Sequence, residues 1–159
     1  MTRPYPVGVG EGVVAAAAVV NAVGDVVNED GGVLAGARDP AGGWLAAENP
    51  LRYVEWGSPP PAGTNTTLVV AATNARLSRS ELSRLTHQAH NGLAIAVRPS
   101  HTRHDGDVAF ALTTSRVSGD LTLVNNMVVA VVGEAIRNGV RHAASVMGIP
   151  GLAGTREED

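Results

Sequence analysis

The chain has no cysteine, which excludes disulfides and thiolate metal sites and leaves its redox compartment open. Aromatics are scarce, with one Phe, two Trp and two Tyr in 159 residues, so a core must be built from Val, Ala and Leu. No apolar run reaches the roughly eighteen residues that a membrane-spanning helix needs. All twelve basic residues are Arg and the net charge is −3. The arginines are scattered, with no basic stripe and no interleaved aromatics, which argues against nucleic acid as a partner. What remains is a chain with 44% hydrophobic content, expected to form one domain over 1–159 that is large enough to bury a core.

What is present centres on Gly63-Thr64-Asn65-Thr66-Thr67-Leu68-Val69-Val70-Ala71-Ala72-Thr73-Asn74-Ala75. A Pro/Gly-rich leader gives way to a β-branched, apolar segment with the pattern of a buried strand. Asn65 and Thr66 stand at the junction. A threonine at the head of such a strand is where a chain places an N-terminal nucleophile released by self-cleavage. Its hydroxyl attacks, and the α-amine freed by cutting Asn65–Thr66 serves as the base. That amine titrates near pH ~8, so a useful fraction accepts protons at neutral pH. A buried strand that simply begins Asn-Thr-Thr fits the same pattern.

Two other stretches bear on the choice: Val20-Asn21-Ala22-Val23-Gly24-Asp25 upstream, and His101-Thr102 with Asp105-Gly106-Asp107 downstream. In this order the three resemble the motifs of the L-aminopeptidase/D-esterase family of N-terminal-nucleophile hydrolases. That family includes the endo-type 6-aminohexanoate oligomer (nylon) hydrolases. The resemblance runs from about Val13 to about Ala144 and matches the later part of a typical member. It implies an αββα layered sandwich, with Thr66 as nucleophile and autocleavage between Asn65 and Thr66. It implies Asn21 as the oxyanion donor, a neutral amide held fixed before charge develops. It places Asp105 and Asp107 beside the nucleophile, hydrogen-bonding its hydroxyl and its ammonium. Other members carry a hydroxyl and a Glu there, so this chain resembles the nylon-hydrolase side. Members also carry a long region ahead of the Val-Asn-Ala-Val-Gly motif, which supplies strands, part of the oxyanion hole and, in the nylon hydrolases, an active-site Lys. This chain begins close to that motif and has no Lys. The expectation is a shortened hydrolase, with a non-catalytic or partner-dependent half-domain as the alternative.

The Val13–Ala22 run is apolar on both faces, as in a strand covered on two sides. With Arg3 ahead of it, it also resembles a short signal peptide. Glu11 just before the run and the motif straight after it argue against export, and a cytoplasmic location is expected. Gly8-Val9-Gly10-Glu11-Gly12 lacks both a preceding strand and the G-x-G-x-x-G spacing, so it is a loop and not a dinucleotide site. Asn28–Gly32 predicts a turn and Val33–Ala37 the returning strand of a hairpin. Residues 39–65 predict a long linker whose prolines resist strand pairing. After cleavage it becomes a free tail able to withdraw and uncover Thr66 at the head of the 66–159 segment.

Ser78–Glu81 is a capping box flanked by Leu77 and Leu82 as a hydrophobic staple. It opens a helix whose inner stripe is Leu82, Leu85 and Ala89 and which Gly92 closes. Leu93–Val97 and Val108–Leu112 predict strands. A long helix is predicted from Asp120 to Met147, with Val124, Met127, Val128, Val131, Ala135 and Ile136 packed and Glu134, Arg137, Asn138 and Arg141 outside. Arg156–Asp159 predicts a loose tail. His87, His90, His101 and His104 form two H-x-x-H pairs, a spacing that can hold zinc on a helix face. With no H-E-x-x-H glutamate and no Cys, two solvent-facing helix histidines and a loop are expected, and no metal. Asp105 and Asp107 project the same way if the strand extends back to Asp105. Two carboxylates so close need a cation, a shared proton or solvent, and taken alone Asp-Gly is ordinary turn chemistry.

These features predict an α/β protein, strands packed under two amphipathic helices as one portion of an αββα sandwich. The activity implied is hydrolysis of small peptides or amides through an acyl-enzyme, without a cofactor and without membrane partners. Two helices can cover only one sheet face, so a homo-oligomer or a complementary subunit is expected.

Overall fold

A computed structural model describes residues 2–6, 11–38, 43–45 and 65–154. Most of the 39–65 linker, the Gly8–Gly10 segment and the Arg156–Asp159 tail lie outside the described residues. In chain order the elements are β1 (Thr2–Pro6), β2 (Glu11–Asn21), β3 (Asp25–Val27), β4 (Val33–Ala35), β5 (Thr66–Ala75), α1 (Arg79–Ala96), β6 (Val97–Arg98), β7 (Val108–Val117) and α2 (Leu121–Arg141). The main sheet has the order β1-β2-β5-β7 and a small sheet has the order β4-β3-β6. β2 runs antiparallel to β1 and β5, while β5 and β7 are parallel. Parallel neighbours need a long crossover, and α1 lies within it. β1 contains Pro4 and Pro6, which hide it from a pattern search. Among the described residues it pairs only with β2, at the sheet edge, where a missing N–H does no harm.

The period of two along β5 sorts its side chains. Thr67, Val69, Ala71, Thr73 and Ala75 are buried, joined from β2 by Val14 and Ala16. α1 and α2 cover them with Leu85, Ala89, Leu93, Val124, Val128, Val131 and Ile136. The alternate residues face away from both helices. Val19, Leu68, Val70, Phe110 and Leu112 are 65%, 43%, 37%, 56% and 47% exposed, and the strand registers put them side by side. Among the described residues the Val13–Ala22 run is therefore covered on one face and not two.

The hairpin forms as the Asn28–Gly32 turn predicts, with β3 pairing β4. Its anchor is Asp25, fully buried, which accepts the Ala37 N–H at 3.1 Å.

α1 starts at the predicted capping box. The Ser78 N–H donates to Glu81 Oε2 at 2.7 Å and Glu81 N–H donates back to Ser78 Oγ at 3.4 Å. Gly92 does not end the helix, which continues to Ala96, so the expected Leu93–Val97 strand shrinks to Val97–Arg98. The glycine serves packing instead. A Cβ on Gly92 would lie 2.8 Å from the Val129 carbonyl oxygen and 2.8 Å from Val132 Cβ on α2. Leu93 and Ala96 then extend the buried stripe of Leu85 and Ala89 by further helical turns.

α2 ends at Arg141 rather than Met147. Met147 and Gly148 take φ values of 49° and 80°, which no helix accommodates, and Val146 bridges Ile149 across the turn. The packed stripe is as predicted, but Arg137 is not outside it. This residue is 6% exposed and its side chain donates from Nε to the Val27 carbonyl at 2.8 Å, with its Nη1 3.3 Å from Glu29. A buried guanidinium is tolerated because carbonyls and a carboxylate receive its donors.

Candidate active site

The register of β2 and β5 places Asn21 directly opposite Thr66. Directly opposed residues project to the same face with Cβ atoms about 4.5–5.5 Å apart. That face is the open one, because Thr66 shares its side of β5 with Leu68 and Val70. The nucleophile candidate and the amide candidate thus sit together at one end of the uncovered apolar face. In the uncut chain the Thr66 hydroxyl donates to the Asn65 carbonyl oxygen at 2.6 Å. The same oxygen accepts the Gly106 N–H at 2.8 Å.

Gly106 arrives there because Asp105 bridges Asn65 in parallel fashion, ahead of β7. The two aspartates fix this approach. Asp105 Oδ1 accepts the Val23 N–H at 3.1 Å, and Oδ2 accepts the Thr102 N–H at 2.9 Å and hydroxyl at 2.7 Å. Asp107, with its side chain 2% exposed, accepts the Thr67 N–H at 2.8 Å through Oδ1. Its Oδ2 accepts the His101 N–H at 3.2 Å and lies 3.1 Å from His101 Nδ1. The carboxylates are satisfied by N–H and O–H donors drawn from all three motif stretches. Among the described residues, none of their hydrogen bonds ends on the Thr66 hydroxyl. The uncut chain has a peptide nitrogen at Thr66 and no ammonium for them to hold.

The histidines divide. His87 is exposed, with Nδ1 2.9 Å from the Ser83 carbonyl. His90 is only partly exposed, not simply solvent-facing, because its ring meets that of His101 edge-on at 4.9 Å. Among the described residues no three His, Asp or Glu side chains gather as a metal site. His90 has its pKa lowered from the usual histidine value, first by burial and then by His101, with His87 also lowering and Asp107 opposing. A folded-state pKa below the unfolded one means that the unfolded chain binds more protons. Stability is therefore fully present above about pH 6.5 and is lost as pH falls through the lower folded value. Denaturant titrations on either side of that window should show wild type losing stability on acidification and His90→Gln losing less. Identical pH dependence in the two proteins would remove His90 from this effect.

Gly106, Thr102 and the His101–Asp107 contact were not distinguished by spacing alone. The available signals were local: a threonine three residues before Asp105, and a glycine between two carboxylates. A Cβ at 106 would lie 2.8 Å from Thr66 Oγ1, a close approach that only glycine permits.

Comparison with known proteins bears on the family and the fold. The model of "Peptidase family S58" matches residues 3–153. An uncharacterized aminopeptidase of Mycobacterium leprae is 37% identical over 117 residues, 69% of this chain and 31% of the relative. An uncharacterized aminopeptidase of Mycobacterium tuberculosis is 35% identical over 165 residues, 84% of this chain and 45% of the relative. A 6-aminohexanoate-oligomer endohydrolase of Paenarthrobacter ureafaciens is 33% identical over 107 residues, 64% of this chain and 30% of the relative. The chain thus spans less than half the length of these relatives. A crystal structure of a Pyrococcus horikoshii protein superposes with a TM-score of 0.63 at 18% identity, over 95% of this chain and 41% of that one. The L-aminopeptidase D-Ala-esterase/amidase of Ochrobactrum anthropi, described as a variant of the Ntn hydrolase fold, gives a TM-score of 0.52 at 20% identity, over 87% of this chain and 38% of that one.

Proposed function

The chain belongs to peptidase family S58, and from that premise we propose that it hydrolyses peptide or amide bonds with Thr66 as an N-terminal nucleophile. Self-cleavage comes first. Thr66 Oγ1 attacks the Asn65 carbonyl carbon, the Asn65–Thr66 C–N bond breaks, and the hydroxyl proton ends on the departing α-amine. Water then opens the resulting ester. The freed amine becomes the base for the same hydroxyl against substrate carbonyls, which form an acyl-enzyme that water hydrolyses. Asn21, on the same face as Thr66, supplies a side-chain donor to the oxyanion. Asp105 and Asp107 are positioning residues that act through the Val23, Thr67 and Thr102 backbone. The 39–65 linker becomes the C-terminal tail of the first fragment, and 66–159 carries the nucleophile.

The observation that supports this best is the contact of Thr66 Oγ1 with the carbonyl oxygen of the bond to be cut. Substrates are small peptides or oligoamides, by analogy with the aminopeptidase and oligomer-hydrolase relatives. The cytoplasm is the proposed location, and among the described residues no helix is long and apolar enough to cross a membrane. The exposed apolar face beside the site supports action as an oligomer or with a complementary subunit.

Intact-mass analysis tests the nucleophile. Wild type should resolve into Met1–Asn65 and a second fragment whose sequence begins Thr-Thr-Leu-Val. A well-folded chain that stays whole after long incubation would remove Thr66 from this role.

A further inference from the structure

We propose that the backbone N–H of Gly106 is an oxyanion donor of the self-cleavage step beside the Asn21 amide, and that holding this one backbone amide in place is what the Asp105-Gly106-Asp107 sequence is for. The inference rests on Thr66 being the nucleophile.

Three observations carry it. The Gly106 N–H already points at the oxygen that takes the charge, 2.8 Å from the Asn65 carbonyl oxygen. Its neighbours on both sides are pinned, Asp105 to Val23 and Thr102, and Asp107 to Thr67 and His101. Finally, the α-carbon of residue 106 packs so near Thr66 that a side chain there would displace the hydroxyl, its Cβ falling 2.8 Å from Oγ1.

Charge development explains why this donor matters more than the other. In the ground state the Asn65 oxygen accepts bonds from the Thr66 hydroxyl and from the Gly106 N–H. Attack converts that hydroxyl oxygen into a bond to carbon and sends its proton to the Thr66 nitrogen, so the hydroxyl ceases to be a donor as the negative charge appears. The Gly106 amide needs no rearrangement, and its bond strengthens with the charge. No other reactant is consumed, because the hydroxyl is acylated and the amine released within the same chain. The two aspartates then have a shared task. Each spends its acceptor capacity on backbone and loop groups and so fixes the tripeptide, instead of presenting a carboxylate to the developing anion, which would repel it.

The bond is also part of the parallel ladder between Asn65 and Asp105, so the test must separate support from catalysis. The chain can be made by cell-free translation with glycolic acid in place of Gly106, which replaces the N–H by an ester oxygen and keeps the shape. A matching ester, phenyllactic acid at Phe110 within β7, removes an N–H from the same alternating set of ladder donors, further from Thr66. Conversion of full-length chain to fragments is followed by gel and mass, with resistance to limited proteolysis reporting the fold. The 106 ester should cut about 100- to 1000-fold more slowly than wild type, and the 110 ester within a few-fold of it. Equal slowing by both esters, or wild-type cutting by the 106 ester, overturns the proposal while leaving Thr66 as nucleophile. A wild-type chain that never cuts overturns both. Should the 106 ester fail to fold, the Thr66→Ala chain offers a second measurement. A scalar coupling across the hydrogen bond between the Gly106 nitrogen and the Asn65 carbonyl carbon should be observable by NMR, and its absence counts against the geometry on which the proposal stands.

Discussion

Thr66→Ala is expected to leave the chain at full length under conditions in which wild type separates completely at Asn65–Thr66. The reason is chemical, since alanine has no oxygen to form the ester through which the bond is exchanged. The site around it should survive. Thr66 is half-buried at the head of β5, and its hydroxyl is bonded only to the preceding carbonyl among the described partners. Thr66→Ser keeps the hydroxyl and should cut. Asn21→Ala keeps the nucleophile but removes a donor placed opposite it, with an expected loss of about 100- to 1000-fold in turnover. Intact mass over time reads the cutting, and hydrolysis of a small peptide amide reads the turnover. Cleavage persisting in Thr66→Ala would identify an outside protease or another nucleophile. An unchanged rate in Asn21→Ala would return Asn21 to the hydrogen bonding of a strand end.

Much of this arrangement was legible in the sequence because it depends on local chemistry. The Ser78–Glu81 box marks a helix start by its own hydrogen bonds, and the alternation along 66–75 survives as alternating burial. The pairing of Asn21 with Thr66 is a register, and register is set by which face of each strand is buried. What pattern alone misses is what long-range contacts decide. Gly92 looks like a helix stop until α2 is seen crossing over it at a distance that admits no Cβ. Arg137 belongs to the polar side of its helix by type, yet the Val27 carbonyl and Glu29 meet it from the hairpin. β1 is disguised by two prolines that only an edge position tolerates. The hydrogen-bond partners of the two aspartates are likewise beyond what spacing can supply, because Val23 and Thr67 reach them from other stretches of the chain.

The isolated chain is expected to associate through the sheet face opposite its helices. Val19, Leu68, Val70, Phe110 and Leu112 form a contiguous apolar patch there, each more than a third exposed, and soluble monomers rarely leave such patches uncovered. Covering about 500 Å² of apolar surface at about 25 cal/mol per Å² contributes about 12 kcal/mol. Bringing two bodies together costs about 4–15 kcal/mol, so the balance favours a modest affinity, not an obligate one. Sedimentation velocity at low micromolar concentration should therefore show species larger than 16.3 kDa, together with binding of a hydrophobic dye at lower concentrations. Phe110→Glu is the discriminating variant. Its side chain points away from the helices, so the core of Val69, Ala71, Leu85 and Val128 is untouched, while a charge at the centre of the patch must be desolvated for any partner to dock. Loss of the larger species in Phe110→Glu, with unchanged thermal unfolding, would assign the association to this face. A compact wild-type monomer with little dye binding would instead mean that the face is closed from within the chain itself, and association would have to be abandoned as the way this protein completes the surroundings of Thr66.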